Sequence, residues 1–249
     1  MKKLAQLALC ASLLLPLTLS ASLASAVNVP ERLVYDVSWT GVKSATTVHE
    51  VTAHGEEFHM VSTTRSLPWM ATFFPVDDRT ESVLTRGSGE RFGTPKFYRQ
   101  NINEGKYRAL REAHFDPVRL SVETKDLLKK TEKREAISPV TYDSLSCIYF
   151  IRSLDLVPGK SIHIDIYDAK RLWKAEIKVL RREEISTPIG RFKTLVVQPR
   201  LKSSEGKSPR AGEMTVWISD DSLRIPVMMT SKAKLGKITA TLVGGSYWP

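Results

Sequence analysis

From Val27 onward apolar side chains recur at every second position, and that period is the strongest constraint on what this 249-residue chain can fold into. Tyr35, Val37 and Trp39 alternate with Asp36 and Ser38, and Ile162, Ile164 and Ile166 alternate with His163 and Asp165. The clearest run sets Trp173, Ala175, Ile177 and Val179 against Lys174, Glu176 and Lys178. Further runs follow at Met214, Val216 and Ile218, at Ile225, Val227 and Met229, and at Ile238, Ala240 and Leu242. Successive side chains of an extended chain point to opposite faces, so each run is a strand with one apolar face. Short turn signals separate the runs, among them Asn103-Glu104-Gly105, Pro188-Ile189-Gly190 and Asp220-Asp221. Links this short join antiparallel neighbours, because parallel strands need a long crossover. The expected fold is mainly β: a curved antiparallel meander, an open barrel or half-barrel, of about ten or eleven strands.

One segment breaks the period. Leu145, Ile148, Tyr149, Phe150 and Ile151 fall at mainly helical spacing, with Asp143 placed to cap the start and Pro158-Gly159 to stop the chain. The segment is apolar on nearly every side, so the expectation is one buried helix with the curved sheet wrapped around it. Cys147, set among Ile148, Tyr149 and Phe150, is expected to be a buried structural cysteine.

Residues 1–26 read as a secretory signal peptide. Lys2 and Lys3 supply the positive start, an apolar stretch rich in Leu and Ala follows, and Ala24-Ser25-Ala26 is a small-residue cleavage site. The remainder, 27–249, carries no internal repeat and is expected to be a single β-rich periplasmic domain, with 203–210 as a loop. Cleavage lowers the formal charge from +10 to +8 and leaves Cys147 without a second cysteine, so no internal disulfide can form. In the cell envelope, a basic balance points to anionic surfaces rather than to nucleic acid, with membrane contact at most peripheral. Serial Lys and Glu on the polar strand faces leave no lipid-facing belt for an outer-membrane barrel.

Catalytic signatures are sparse. A hairpin turning at His54-Gly55 puts His59 opposite Glu50 and His49 opposite Met60 on the other face, so His49, His54 and His59 cannot converge on a metal. Ser144 and Ser146 lack the glycine-flanked turn of many hydrolases, and no phosphate-binding glycine loop or paired-cysteine motif is present. Neither a metal nor a cofactor is expected, and the balance leans away from an enzyme. Two features point to binding. The apolar stretch from Leu67 to Pro75 holds Trp69, Phe73 and Phe74; it covers a cavity mouth or touches a membrane or partner, or else forms a short helix plugging the core, which is the simpler reading. A hairpin turning at Glu104-Gly105 sets Tyr98 opposite Arg111 and Gln100 opposite Ala109, with Arg99 on the other side. Both its faces are mixed, so it either lines a polar cleft, where Arg99 and Arg111 grip a carboxylate or phosphate, or forms a charged sheet edge.

Several ordered motifs resemble a known family. Asp143-Ser144-Leu145-Ser146 through Arg152, Thr187-Pro188-Ile189-Gly190-Arg191-Phe192, the run from Trp217 to Val227 followed by Gly236-Lys237-Ile238, and the opening from Leu33 to Val42 are similar to the family called domain of unknown function 3108. The resemblance implies an exported bacterial envelope protein, mostly β, with no established activity and no assigned catalytic residue. The leading expectation is non-catalytic binding of a hydrophobic or amphiphilic envelope molecule such as a lipid, with Trp69, Phe73, Phe74, Arg99 and Arg111 as its contacts. The alternative is an assembly or scaffold protein that binds another envelope protein, and an enzyme acting on envelope glycans or lipids comes third.

Overall fold

A computed structural model describes residues 27–87, 92–203, 214–233 and 236–248. The leader read at 1–26 and residues 204–210 of the expected loop lie outside them. The first half of the chain runs β1 (Glu31–Trp39), β2 (Val42–His54), β3 (Glu57–Ser66), α1 (Pro68–Ala71), β4 (Asp77–Arg86), β5 (Gly93–Glu104), β6 (Tyr107–Asp116), β7 (Ser121–Asp126) and β8 (Thr131–Ala136). The second half runs β9 (Thr141–Asp143), α2 (Ser146–Arg152), β10 (Ser161–Tyr167), β11 (Leu172–Thr187), β12 (Gly190–Ser203), β13 (Met214–Ser219), β14 (Pro226–Ala233) and β15 (Gly236–Gly245). There are thus fifteen strands where the alternation predicts ten or eleven. The reason is visible in β4, whose two faces are both largely polar (Asp78, Thr80 and Ser82 on one, Asp77, Arg79 and Glu81 on the other) and so leave no period-two signal.

All fifteen strands belong to one sheet, ordered β8-β7-β6-β5-β4-β3-β2-β1-β15-β14-β13-β12-β11-β10-β9. Its ladders are antiparallel except that of β9 with β10, which is parallel. The first and last strands pair in the middle, Val37 with Ala240 and Trp39 with Ile238. The two edges are β8 and β9, yet only residues 137–140 join them in the chain. Such a link reaches at most about 17 Å, whereas fifteen strands laid flat would separate their edges by about 65 Å. The sheet is therefore rolled. Side chains close the seam: the Tyr167 hydroxyl lies 2.7 Å from both Thr124 Oγ1 and Glu135 Oε2, and Lys133 Nζ donates to the Lys170 carbonyl at 2.6 Å.

The expected single helix becomes two short ones, of four and seven residues, among the described elements. α2 starts at Ser146 rather than near Asp143, because Asp143 ends β9 and its Oδ1 accepts the amides of Leu145 and Ser146 at 2.9 and 2.8 Å. Tyr149 of α2 packs with Met60, Leu84, Tyr98 and Val122 from the first half, while Cys147 and Phe150 pack with Ile164, Ile177 and Leu195 from the second. A third cluster joins Leu33, Tyr35, Ile225 and Leu242, where the chain's two ends pair. Strand side chains fill most of the core.

Both early hairpins turn one residue later than expected. β2 and β3 meet with His54 opposite Glu57, and β5 and β6 with Glu104 opposite Tyr107. Gly55 and Gly105 therefore take the first turn position at φ +56° and +53°, a left-handed conformation that glycine adopts without a Cβ clash. Cross-strand partners shift by two residues, so His59 faces Thr52 and Arg111 faces Gln100, while every side chain keeps its expected face. The Glu50 partner expected for His59 is replaced by Glu57, 3.3 Å away.

Candidate functional site

Strand direction places the β1–β2, β3–β4, β5–β6, β7–β8 and β10–β11 links at one end of the rolled sheet, termed the upper end here. At the lower end the interior is closed by a buried ion pair. Arg152 reaches Glu31 through two hydrogen bonds of 2.6 and 2.7 Å, with both side chains shielded from solvent. The Leu223 carbonyl accepts from Arg152 Nε at 3.2 Å, and the Tyr247 hydroxyl donates to Glu31 Oε2 at 2.8 Å. Arg152 also stacks over the Tyr149 ring at 5.1 Å. Near it, burial and then the Arg152 charge lower His49 to about 4, so the imidazole beside the Tyr35 ring is neutral. His49 faces inward while His54 and His59, 4.7 Å apart, sit together elsewhere on the hairpin.

The motif residues Asp143 and Ser146 form a second sealed cluster. Asp143 Oδ2 accepts from Ser82 and from Ser146, each at 2.7 Å, which ties β9 and α2 to β4. Burial pushes this carboxyl up against the pull of those donors. All three side chains are buried, so the cluster is a clamp out of reach of any substrate. Burial, then the Asp143 charge, also raises the Cys147 thiol, the reverse of what a nucleophile needs.

The upper end is different. Of the thirteen exposed large hydrophobic residues among those described, ten lie there: Trp39, Val42, Trp69, Phe73, Phe74, Tyr107, Leu127, Leu128, Met214 and Ile238. The link holding α1 does not plug the core as the simpler expectation had it. Only Met70 of that helix is buried, while Phe73 is 80% exposed. The segment is nevertheless pinned: Leu67 N–H bonds to Ser44, Gly105 N–H bonds to Pro75 at 2.7 Å, and Trp69 Nε1 donates to the Lys43 carbonyl at 3.2 Å.

Inside this mouth, the pairing register gives two unlike walls. From β2 to β5 the inward, half-exposed residues near this end are Thr47, Ser62, Thr64, Ser66, Asp78, Thr80 and Gln100, with Ile102 as an apolar member. From β1 and β13–β15 the inward residues are Val37, Val216, Met229 and Ala240, half-exposed, and Trp39 and Ile238, exposed at the top, with Ser231 as a polar member. Thr47 and Thr64 bond across their strands at 2.8 Å. Beside Asp78, burial first and the shared hydrogen bond second raise Glu104 to about 7. Where the seam opens upward, a cleft of about 220 Å³ is lined by Arg111, Asp126, Lys129, Lys133 and Lys170, among others.

Trp69, Phe73 and Phe74 thus sit together on the rim, and Arg111 lies inside the same end. Arg99 and Arg111 do not converge. Adjacent cross-strand pairs point to opposite faces, so Arg99, paired with Glu112 at 3.6 Å, projects away from Arg111. Arg111 is itself engaged, donating to Asp126 at 3.0 Å and to the Tyr107 oxygen at 3.2 Å. Sequence reasoning missed the apolar wall as a site, because Val216, Met229 and Ala240 read as ordinary core positions. The signal it lacked was depth along the barrel, which comes from the register.

Among solved structures, a β-barrel-like protein of domain of unknown function DUF1849 from Brucella abortus is similar over 87% of this chain and 97% of that one, at 14% identity and a TM-score of 0.59. At that identity the likeness is one of fold. A protein from Bacteroides fragilis, named provisionally as exported with a YmcC-like fold, matches at 9% identity over 87% and 95% of the two chains, with a TM-score of 0.37. One from Parabacteroides distasonis, named provisionally as a lipoprotein, matches at 12% identity over 87% and 95%, with a TM-score of 0.35. No curated protein matches in sequence. The family model described as protein of unknown function (DUF3108) matches residues 34–243, the span from β1 to β15 that forms the rolled sheet, and the chain belongs to that family.

Proposed function

We propose that this protein is an exported envelope protein that binds an amphiphilic molecule of the lipid class at the upper mouth of its rolled sheet, without transforming it. The observation that carries the reading is the two-walled mouth: a wall of mainly hydroxyl, amide and carboxyl groups on β2–β5 faces a mainly apolar one on β1 and β13–β15. A ligand with a polar head and an apolar chain satisfies both walls at once, whereas a sugar would leave the apolar wall wet and a hydrocarbon would strand the polar groups. Lys129 and Lys170 at the seam cleft favour an anionic head. Export rests on the leader at 1–26, and its direct check is whether the secreted chain begins at Val27.

The test is native mass spectrometry of the protein purified from a periplasmic fraction, followed by extraction of what it carries. A stoichiometric lipid adduct that disappears in Trp39→Glu and Ile238→Lys is the expected result; both positions are partly exposed, so the fold tolerates the change. A clean apo mass, with no uptake of added envelope lipids, overturns the reading and puts a protein partner first.

A further inference from the structure

We propose that the turn tips around the upper mouth are a docking surface for an anionic lipid bilayer. The observations concern the tips, apart from the inner walls. Phe73, Phe74 and Trp69 project from the α1 link, and Leu127 and Leu128 project from the β7–β8 turn. These side chains are held outward by structure. The Phe74 ring covers Gly105 so closely that a Cβ there would lie 2.6 Å from it, and Leu127 N–H bonds to the Leu110 carbonyl at 2.8 Å. A chain that buries Met70 in the same link yet leaves Phe73 in water exposes these tips at a cost that a bilayer interface removes.

Charge selects the kind of bilayer. Most carboxylates at this end are already engaged by cations, Asp36 with Lys43 at 2.8 Å, Asp77 with Arg65 at 3.0 Å, Asp126 with Arg111 at 3.0 Å and Glu132 with Lys125 at 3.9 Å, while Asp78 and Glu104 share a hydrogen bond with each other. Asp168 accepts from the amides of Lys170 and Arg171 in its own turn. Lys106, Lys129, Lys130 and Lys170 are left with no ion-pair partner among the described residues. Apolar tips flanked by unpaired lysines match the two layers of an anionic membrane, acyl boundary and headgroups. The same lysines disfavour a second copy of this chain, since two such ends would repel.

The experiment is co-sedimentation of the mature chain with phosphatidylcholine vesicles, with and without phosphatidylglycerol. Binding is expected only when phosphatidylglycerol is present, weakening with salt, and falling about tenfold or more in Phe73→Asp and Leu128→Asp. In the unmutated protein, brominated lipids should quench tryptophan fluorescence, and Trp69→Phe should remove most of that quenching. Three results overturn the proposal: no binding to either vesicle, binding indifferent to both tip variants, or a dimer in solution that buries the tips. The proposal stands apart from amphiphile binding. Trp39→Glu and Ile238→Lys should empty the mouth while leaving vesicle binding intact, and Phe73→Asp should do the reverse.

Discussion

Glu31 and Arg152 meet from 121 positions apart, and the energetics of that meeting dominate the lower end of the molecule. Burying two charges costs several kcal/mol each, and here two short hydrogen bonds, the Leu223 carbonyl and the Tyr247 hydroxyl offset it. Removing one partner should therefore be worse than removing both. Urea unfolding of Glu31→Leu or Arg152→Met should show a loss of about 3–5 kcal/mol, and the double variant should recover more than half of it. Additive losses would mean that the two side chains act independently. Read from sequence, Arg152 is only a cation at a helix end, and nothing near it names Glu31. The neighbouring His49 makes a pH prediction. Its folded pKa of about 4 lies below the ordinary value, so as pH falls the unfolded chain takes up the proton first. That contribution is intact above about pH 6.5 and declines toward pH 4, by an amount on the order of 3 kcal/mol. His49→Leu should flatten the stability profile across that window; a profile unchanged from the parent protein would place the acid sensitivity elsewhere. The inward, buried position of His49 was legible from strand parity alone, because parity survives a two-residue shift in register.

At the scale of elements, the seam between β8 and β9–β10 is the weak joint of the roll, because no backbone ladder crosses it. Side chains join its two sides instead: Tyr167 to Thr124, Glu135 and the Phe115 ring, Lys133 to the Lys170 carbonyl and the Tyr167 ring, and, deeper in, Asp143 to Ser82. Tyr167→Phe combined with Lys133→Ala should raise amide exchange in Thr131–Ala136 about tenfold while leaving β1 and β2 unchanged. Uniform acceleration across the sheet would show that the seam is part of one cooperative unit. The strands with a clean apolar face, β11 and β13 among them, were legible in sequence. β4 was not, since Thr80 and Ser82 point inward to a wet mouth and a buried carboxylate rather than to hydrocarbon. The hairpin registers were misread by one turn position for a single cause: glycine's freedom at positive φ suits the first turn residue as well as the second.

Over the whole molecule, the meander closes on itself so that β1 lies beside β15 and the two halves face each other across the interior. That closure creates the candidate site. The hydroxyl-rich strands of the first half and the apolar strands of the last third become opposite walls, and five turns distant in sequence become one rim. By itself the sequence determined the strand-rich class, the inward and outward faces, the buried Cys147 and the likeness to a family, because side-chain alternation and turn chemistry act over a few residues. Only the tertiary structure decided the strand count, the Glu31–Arg152 pair and the gathering of Trp69, Phe73 and Phe74 with Leu127 and Leu128. Those depend on how far a sheet rolls before its edges meet, which is set by twist and register summed over fifteen strands and by no single stretch of chain.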